Sequence, residues 1–177
     1  MSAEAKYTRT SAPAITPVDF EDLRRWTRTE DTYEDETLMG LCQSATEFTE
    51  LETGLLLITQ TWQLKLDGFP CSGDIADPMW PLASRAAIKI EKKPVQSISS
   101  ITYVDGDGTE QTLSSSLYEL DAYSSPARVK PTAGNAWPTT KSDTFNTVTI
   151  TYVACYGAAK TTVTWQIREP ITTLARN

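Results

Sequence analysis

The stretch "NTVTITYVAC", residues 146–155, decides how this chain folds. Val148, Ile150 and Tyr152 alternate along it with three threonines. Successive side chains of a β-strand point to opposite faces of its sheet, so an apolar residue at every second position marks a strand with one buried face. The alternation therefore predicts a half-buried strand.

The same period of two recurs in "ITQTWQLKL", residues 58–66. Trp62, Leu64 and Leu66 share one face of the predicted strand, with Gln60 among them, and threonine, glutamine and lysine form the other face. Five further segments have the composition of short strands: "AIKIE", "SITYV", "EQTLS", "LYELDA" and "ARVKP". Because no long helix separates them, they predict an antiparallel sheet or a small barrel.

Helical patterns precede these strands. Thr16-Pro17 resembles a helix start, and Phe20, Leu23 and Trp26 give a short amphipathic helix from about 17 to 28. A second helix is predicted to begin near Asp31 or Thr32 and to end at Thr53-Gly54. Its core-facing stripe is expected to comprise Leu38, Leu41, Cys42, Ala45 and Phe48.

The predicted class is therefore α+β, with N-terminal helices, an antiparallel β domain and a short helical or extended C-terminal tail. We expect a flexible arm at 1–15, a helical pair at 16–54 and a β domain at 55–157. A long loop at 68–87 interrupts the β domain, and the tail at 158–177 is expected to contact partners.

The dipeptides Asp105-Gly106 and Asp107-Gly108 suggest either a calcium loop or a tight turn. In a calcium-binding loop of the EF type that starts at Asp105, Thr109, Glu110 and Ser116 would stand where other residue types are required. Asp-Gly between two β-prone segments is a hairpin signal, because glycine accepts a positive φ. We predict a hairpin turn.

Composition excludes several classes of protein. The 177 residues carry a net charge of −7, which argues against tight binding to nucleic acid phosphates. Three cysteines, Cys42, Cys71 and Cys155, lack metal-site spacing, so free thiols in a reducing compartment are expected. No signal peptide is visible, and the apolar run "LLLI" at 55–58 is too short to cross a bilayer, so no membrane association is expected.

Catalytic and cofactor motifs are scarce as well. The chain has no histidine, which excludes histidine-based triads and His-ligated metals. It also has no phosphate-binding glycine loop. A hydrolase with two catalytic carboxylates is the weakest alternative that stays open. We expect no cofactor, no metal and no enzymatic activity.

Two groups of residues are candidates for contact with other proteins. Arg24, Arg25 and Arg28 surround Trp26, either as the solvated side of a helix, which we favour, or as a patch for an acidic partner. Met79 and Trp80 stand between two prolines, and such residue types are enriched at interface cores, although folding back onto their own domain is as good an alternative.

In order along the chain, the segments "TQTW" (59–62), "PVQSISSITYVD" (94–105) and "YVACYG" (152–157) are the most specific of a longer series. Over roughly residues 16–157, the chain resembles the head–tail connector, or adaptor, proteins of long-tailed bacteriophages and gene transfer agents. The similarity ends before "AAKTTVTWQIREPITTLARN", which contains Pro170 where the family has a long apolar helix.

The resemblance implies a structural virion protein at the head–tail junction, assembled in the cytoplasm of a host bacterium. It implies a homo-oligomeric ring, commonly a dodecamer, that binds the portal protein on one side and a stopper or tail-terminator protein on the other. The ring would continue the channel through which DNA is ejected, without sequence-specific binding of that DNA.

The residues expected to contact partners are apolar and lie in segments with no core assignment: Met79, Trp80, Trp165, Ile167, Ile171 and Leu174. The alternative function is a β-rich carbohydrate-binding or tail-fibre-like module. In that case Trp62, Trp80 or Trp137 would provide a stacking surface for sugars.

Overall fold

The computed structural model describes residues 5–28, 33, 35–70 and 87–156, with only the backbone of Phe20, Trp26 and Thr27. Two α-helices lie in these ranges, α1 (Phe20–Thr27) and α2 (Asp35–Thr53). The strands within the same ranges are β1 (Lys6–Ser11), β2 (Gln60–Leu66), β3 (Ile88–Ile90), β4 (Val95–Val104), β5 (Glu110–Thr112), β6 (Tyr118–Asp121), β7 (Ala127–Pro131) and β8 (Val148–Ala154).

The strands form two antiparallel sheets. The larger has the order β1-β2-β8-β4-β5, and the smaller has the order β3-β7-β6. β8 lies in the middle of the larger sheet, where Leu64 of β2 and Ile101 of β4 both pair with Ile150. The stretch 146–155 is thus the central strand that its alternation predicts. The α+β class with antiparallel strands is confirmed.

A closed barrel does not form, which corrects one of the two predicted arrangements. The larger sheet ends at β1 on one side and at β5 on the other, and these two strands do not pair with each other in the described residues. Instead the two sheets enclose one core between them, which includes Leu64, Ile150 and Tyr152 from the larger sheet and Ile90 and Val129 from the smaller. The sheets are stacked layers, so no closure is required.

The first element of the chain is a strand, which corrects the expected order of helices before strands. Residues 6–11, within the arm 1–15 that was expected to be flexible, form β1 and pair with β2. Tyr7 packs against the shared core, and its hydroxyl accepts a hydrogen bond from the Glu91 N–H at 3.0 Å. One inward-pointing tyrosine anchors a strand that is otherwise polar, and a pattern this weak does not stand out in the sequence.

α1 begins later than predicted, whereas the start predicted for the second helix, at Asp31 or Thr32, lies outside the described residues. Asp19 caps α1, its side chain accepting from the Glu21 N–H at 3.3 Å, whereas the Thr16 hydroxyl donates to the Val18 carbonyl. α2 ends at Thr53 as expected, followed by Gly54 in the left-handed region with φ 66°. A second core cluster holds the helices against the start of β2: Val18, Leu23, Leu38, Cys42, Ala45, Leu57 and Ile58.

Several expectations concern residues that the structure does not describe. Most of the predicted loop 68–87 and the whole tail 158–177 fall in the ranges 71–86 and 157–177, outside the described residues. The division into an arm, a helical pair, a β domain and a tail stays a prediction. No helix in the described part of the chain is long and apolar enough to cross a membrane.

Candidate interaction surfaces

The six residues expected to contact partners cannot be located. Met79 and Trp80 lie in 71–86, and Trp165, Ile167, Ile171 and Leu174 lie in 157–177, so all six fall outside the described residues. The surfaces that can be built from the residues upward are those of α2, of the larger sheet and of the groove beside the connection from β7 to β8.

The buried face of α2 contains a carboxylate. Glu50 is only 8% exposed, and its Oε1 accepts hydrogen bonds from the Leu57 N–H at 2.8 Å and from Gln60 Nε2 at 2.9 Å. Gln60 in turn accepts from the indole N–H of Trp62 at 3.2 Å. Buried polar groups need such partners, so this chain of bonds holds the C-terminal part of α2 against β2. It also explains why a glutamine occupies the core face of β2.

A second, outward face of α2 is apolar. Leu41, Phe48 and Leu51 are 44%, 53% and 71% exposed. Leu41 and Phe48 were expected in the core, and this is wrong: the buried positions are Leu38, Cys42, Ala45, Thr46 and Glu50. A helix with apolar residues on two sides gives 3–4 spacings that mix both faces, which is why the sequence pattern assigned these two to the core.

α2 is also strongly acidic. Asp35, Glu36, Glu47 and Glu52 join Glu50 on it, and no lysine or arginine lies between residues 35 and 53. The ion pair between Arg24 Nη2 and Asp35 Oδ1, 2.8 Å, links its first turn to α1. Arg24 is thus paired within the protomer and partly buried, and does not belong to the solvated helix side that we favoured for the three arginines. The side chain of Trp26 itself is not described.

The outer face of the larger sheet has the opposite character. Lys6 of β1 is the register partner of Lys65 of β2, and the same row continues through Thr149, Thr102 and Thr112 across the remaining strands. Like charges directly opposite on neighbouring strands repel each other. Lys6 and Lys65 are the charged residues of β1 and β2 on this outer face, because Arg9 is the register partner of Trp62 and shares the core-side face with Tyr7.

The Asp105–Gly108 segment is the predicted hairpin turn, between β4 and β5. Asp105 Oδ1 accepts from the N–H groups of Asp107 at 3.1 Å and Thr109 at 2.9 Å, and Oδ2 accepts from Gln111 Nε2 at 3.0 Å. The hydrogen bond from Thr109, then that from Gln111, hold the pKa of the Asp105 carboxyl below its ordinary value. The carboxylate is engaged by the turn itself.

A groove of about 1200 Å³ lies beside the connection from β7 to β8. Phe69 and Trp137 on its wall stack with ring centroids 4.6 Å apart, and Tyr103 meets Phe69 edge-on. One face of Trp137 is therefore covered, and the Lys92 ammonium lies 5.2 Å over the ring of Trp62. Each of these two tryptophans thus has one ring face engaged within the protomer, and Trp80, the third candidate, lies outside the described residues.

Two of the three cysteines can be placed. Cys42 and Cys155 are free thiols and both are buried, in agreement with the expectation for them. Burial raises the pKa of the Cys42 thiol, because water no longer solvates its thiolate. Cys71 falls outside the described ranges.

No protein-family model and no curated protein sequence matches this chain. Solved structures do match it. A chain from the neck of an empty gene transfer agent (GTA) particle, computed with C6 symmetry, has a TM-score of 0.75 and 19% sequence identity, covering 97% of this chain and 82% of that one. A chain from the virion of a native GTA particle gives a TM-score of 0.72 at 17% identity, with coverage of 96% and 81%.

A chain from the neck of a native GTA particle, computed with C12 symmetry, gives a TM-score of 0.67 at 17% identity and covers 96% of this chain and 80% of that one. The similarity extends over nearly the whole length of this chain in all three comparisons. At these identities the comparisons establish the fold. The chain folds as chains in the necks and virions of gene transfer agent particles do.

Proposed function

We propose that this chain is a structural protein of the head–tail junction of a phage-like particle. In this proposal it is the connector, or adaptor, that joins the capsid portal to the tail. The observation that carries the proposal is a shared fold over 97% of the chain with a protein from a gene transfer agent neck. A neck chain acts by its shape and contacts, so we propose no catalytic role.

We further propose that copies of the chain form a ring, with the portal on one side and a stopper or tail-terminator protein on the other. The GTA neck structures were computed with C6 and C12 symmetry, and twelve copies would agree with both. The ring would surround a DNA channel without reading its sequence. The net charge of −7 supports this role, because a negative lining repels phosphates.

The contacts to the portal are proposed to come from the apolar residues of the tail, Trp165, Ile167, Ile171 and Leu174, and those to neighbouring proteins from Met79 and Trp80. Large apolar side chains are enriched at the centres of interfaces, where they lose contact with water. Assembly would take place in the cytoplasm of the host bacterium and leave the protein in the virion.

Electron microscopy of particles from the same source tests the proposal directly. The expected result is density for this chain as a ring between the portal and the tail. Particles with intact necks that lack the chain would contradict it. Binding to a glycan array together with absence from the neck would favour the carbohydrate-binding module instead.

The portal contact has a separate test. We expect the double variant Trp165→Asp and Leu174→Asp to lose attachment to purified capsids that carry the portal, while its circular dichroism spectrum stays that of the wild type. Attachment at the wild-type level would refute the assignment of these two residues to the portal contact. It would not contradict the proposed location of the chain at the head–tail junction.

A further inference from the structure

We infer that the outward face of α2 in one copy of this chain packs against the outer face of β1 and β2 in the next copy. This inference rests on the proposed ring and names the two surfaces that would close it.

The outward face of α2 carries an apolar stripe. Helical residues follow one another at roughly 100° around the axis, so Leu41, Phe48 and Leu51 line one side of the helix, away from the buried face. Ser44 and Gly40 lie beside them, both exposed, and no atom lies within 4 Å of the position a side chain at Gly40 would occupy. Large side chains next to small ones form a surface into which another element can pack closely.

The negative charge of α2 limits which surface can cover the stripe. Glu47 and Glu52 lie on either side of it, and the helix carries no basic residue. Two copies of α2 packed against each other would bring these carboxylates together, at a cost. We therefore expect the surface that covers the stripe to be basic. A symmetric contact between two α2 helices would not supply such a surface.

The chain itself carries such a basic surface, on β1 and β2. Lys6 and Lys65 are register partners, with Cα atoms about 5 Å apart. Neither forms an ion pair with any residue in the part of the chain that the structure describes. Two neighbouring lysines with no ion-pair partner among the described residues are complementary to the pair of glutamates that flanks the α2 stripe.

The α2 stripe and the lysine pair are two different surfaces of the protomer. Gln60 points to the core side of β2, where it bonds to Glu50 of α2, and Lys65 points to the other side, because side chains alternate along a strand. α2 therefore contacts the first residue of β2 from the core side of the larger sheet, whereas the lysine pair lies on the other side of that sheet. A contact between two different surfaces of a protomer is head-to-tail, and such contacts close into rings when the rotation permits.

The test measures self-association of the full chain by sedimentation velocity over a concentration series, with ring formation checked by electron microscopy. Phe48→Asp and Leu51→Asp should each weaken association by about thirtyfold, as at the centre of an interface. Leu117→Asp is the control, because Leu117 is an exposed leucine (39%) that follows β5, at the edge of the larger sheet opposite β1, and it should associate like the wild type.

A charge exchange identifies the receiving surface. The variant Lys6→Glu/Lys65→Glu and the variant Glu47→Lys/Glu52→Lys should each associate about tenfold more weakly than the wild type. An equimolar mixture of the two should recover most of the wild-type association, because each α2 face then meets an oppositely charged sheet face. Circular dichroism of each variant confirms that the substitutions, all on exposed or half-exposed positions, leave the fold intact.

The outcomes separate the inference from the proposed function. Wild-type rings together with unchanged rings from Leu51→Asp overturn the inference and leave the proposed ring in place. Loss of association in Leu51→Asp without recovery in the mixture also overturns it, since another surface would then cover the stripe. A wild type that forms no ring, alone or in particles, overturns the proposed function as well.

Discussion

Glu50 Oε1 accepts a hydrogen bond from the Leu57 N–H at 2.8 Å, and this bond ties the last turns of α2 to the chain that enters β2. Both carboxylate oxygens of Glu50 also accept from Gln60 Nε2, at 2.9 and 3.1 Å. A carboxylate near the C-terminus of a helix lies at the unfavourable end of the helix dipole, and the last turn of α2 has no basic residue to offset it. The Leu57 N–H and the Gln60 amide stabilise the carboxylate by hydrogen bonding at the end of the helix where the dipole disfavours it.

We predict that Glu50→Ala lowers the free energy of unfolding by about 2–3 kcal/mol, because it leaves the Leu57 N–H and the Gln60 amide buried without an acceptor. Urea denaturation followed by circular dichroism measures this. Glu47→Ala is the control: it lies on the same helix, is exposed, and should change stability by less than about 0.5 kcal/mol. Equal losses in the two variants would show that the buried network contributes nothing of its own.

Much of the larger sheet could be predicted from local pattern alone. The alternation of Val148, Ile150 and Tyr152 requires one buried face, and the structure buries all three. The Asp-Gly turn and Gly54 likewise follow from the demands of a positive φ, which a local sequence can reveal. In each case the physical cause acts within a few residues, so a short stretch of sequence is enough to predict the structure.

The remaining features depend on contacts between residues far apart in the chain. Nothing local to Lys6–Ser11 shows that this segment pairs with β2, since only Tyr7 turns toward the core. Gln60 on an apolar strand face makes sense only once Glu50 is known to approach it. Whether the strands form two sheets or one barrel depends on which strand edges pair. The pattern of a single sequence does not show that pairing.

A second prediction concerns the hydroxyl group of Tyr152, which is buried without a hydrogen-bond partner among the described residues. Burial, and then the nearby Tyr7, raise the pKa of this phenol well above its ordinary value. Because an unsatisfied buried polar group costs free energy, Tyr152→Phe should raise the free energy of unfolding by about 1 kcal/mol. Thermal and urea denaturation should agree on this sign.

Tyr7→Phe provides the comparison for that variant. The Tyr7 hydroxyl accepts from the Glu91 N–H at 3.0 Å, so its removal should lower the free energy of unfolding, by about 1 kcal/mol. The two variants delete the same atom from two strands of one sheet. If Tyr7→Phe and Tyr152→Phe both destabilised the protein, the result would contradict the assignment of the Tyr152 hydroxyl as a group without a hydrogen-bond partner.

A third prediction concerns acid stability. The Ser124 hydroxyl donates to Asp121 Oδ2 at 2.6 Å, Arg128 Nε donates to the same oxygen at 3.2 Å, and together they hold the pKa of Asp121 well below its ordinary value. A carboxyl with a lowered pKa in the folded state stabilises the protein above its unfolded pKa, about 4. This stabilisation is lost as the pH falls through the lower, folded value.

Asp121→Asn should therefore reduce the urea midpoint at pH 7, and the difference from the wild type should shrink as the pH falls from about 4 toward 2. Ser124→Ala, which removes the first of the donors, should show a smaller change of the same form. A difference between Asp121→Asn and the wild type that stays constant over this pH range would contradict the assigned cause.

The β4–β5 hairpin gives the last prediction. Gly108 has φ 88°, a conformation in which a Cβ is strained, whereas Gly106 has no positive φ and no atom within 4 Å of its Cβ position. Gly108→Ala should thus lower the free energy of unfolding by about 1–2 kcal/mol. Gly106→Ala should leave it unchanged or raise it by about 0.5 kcal/mol, because it restricts the unfolded chain alone. Urea midpoints measured side by side would decide, and an equal loss in both variants would mean that the loss does not come from the left-handed backbone at Gly108.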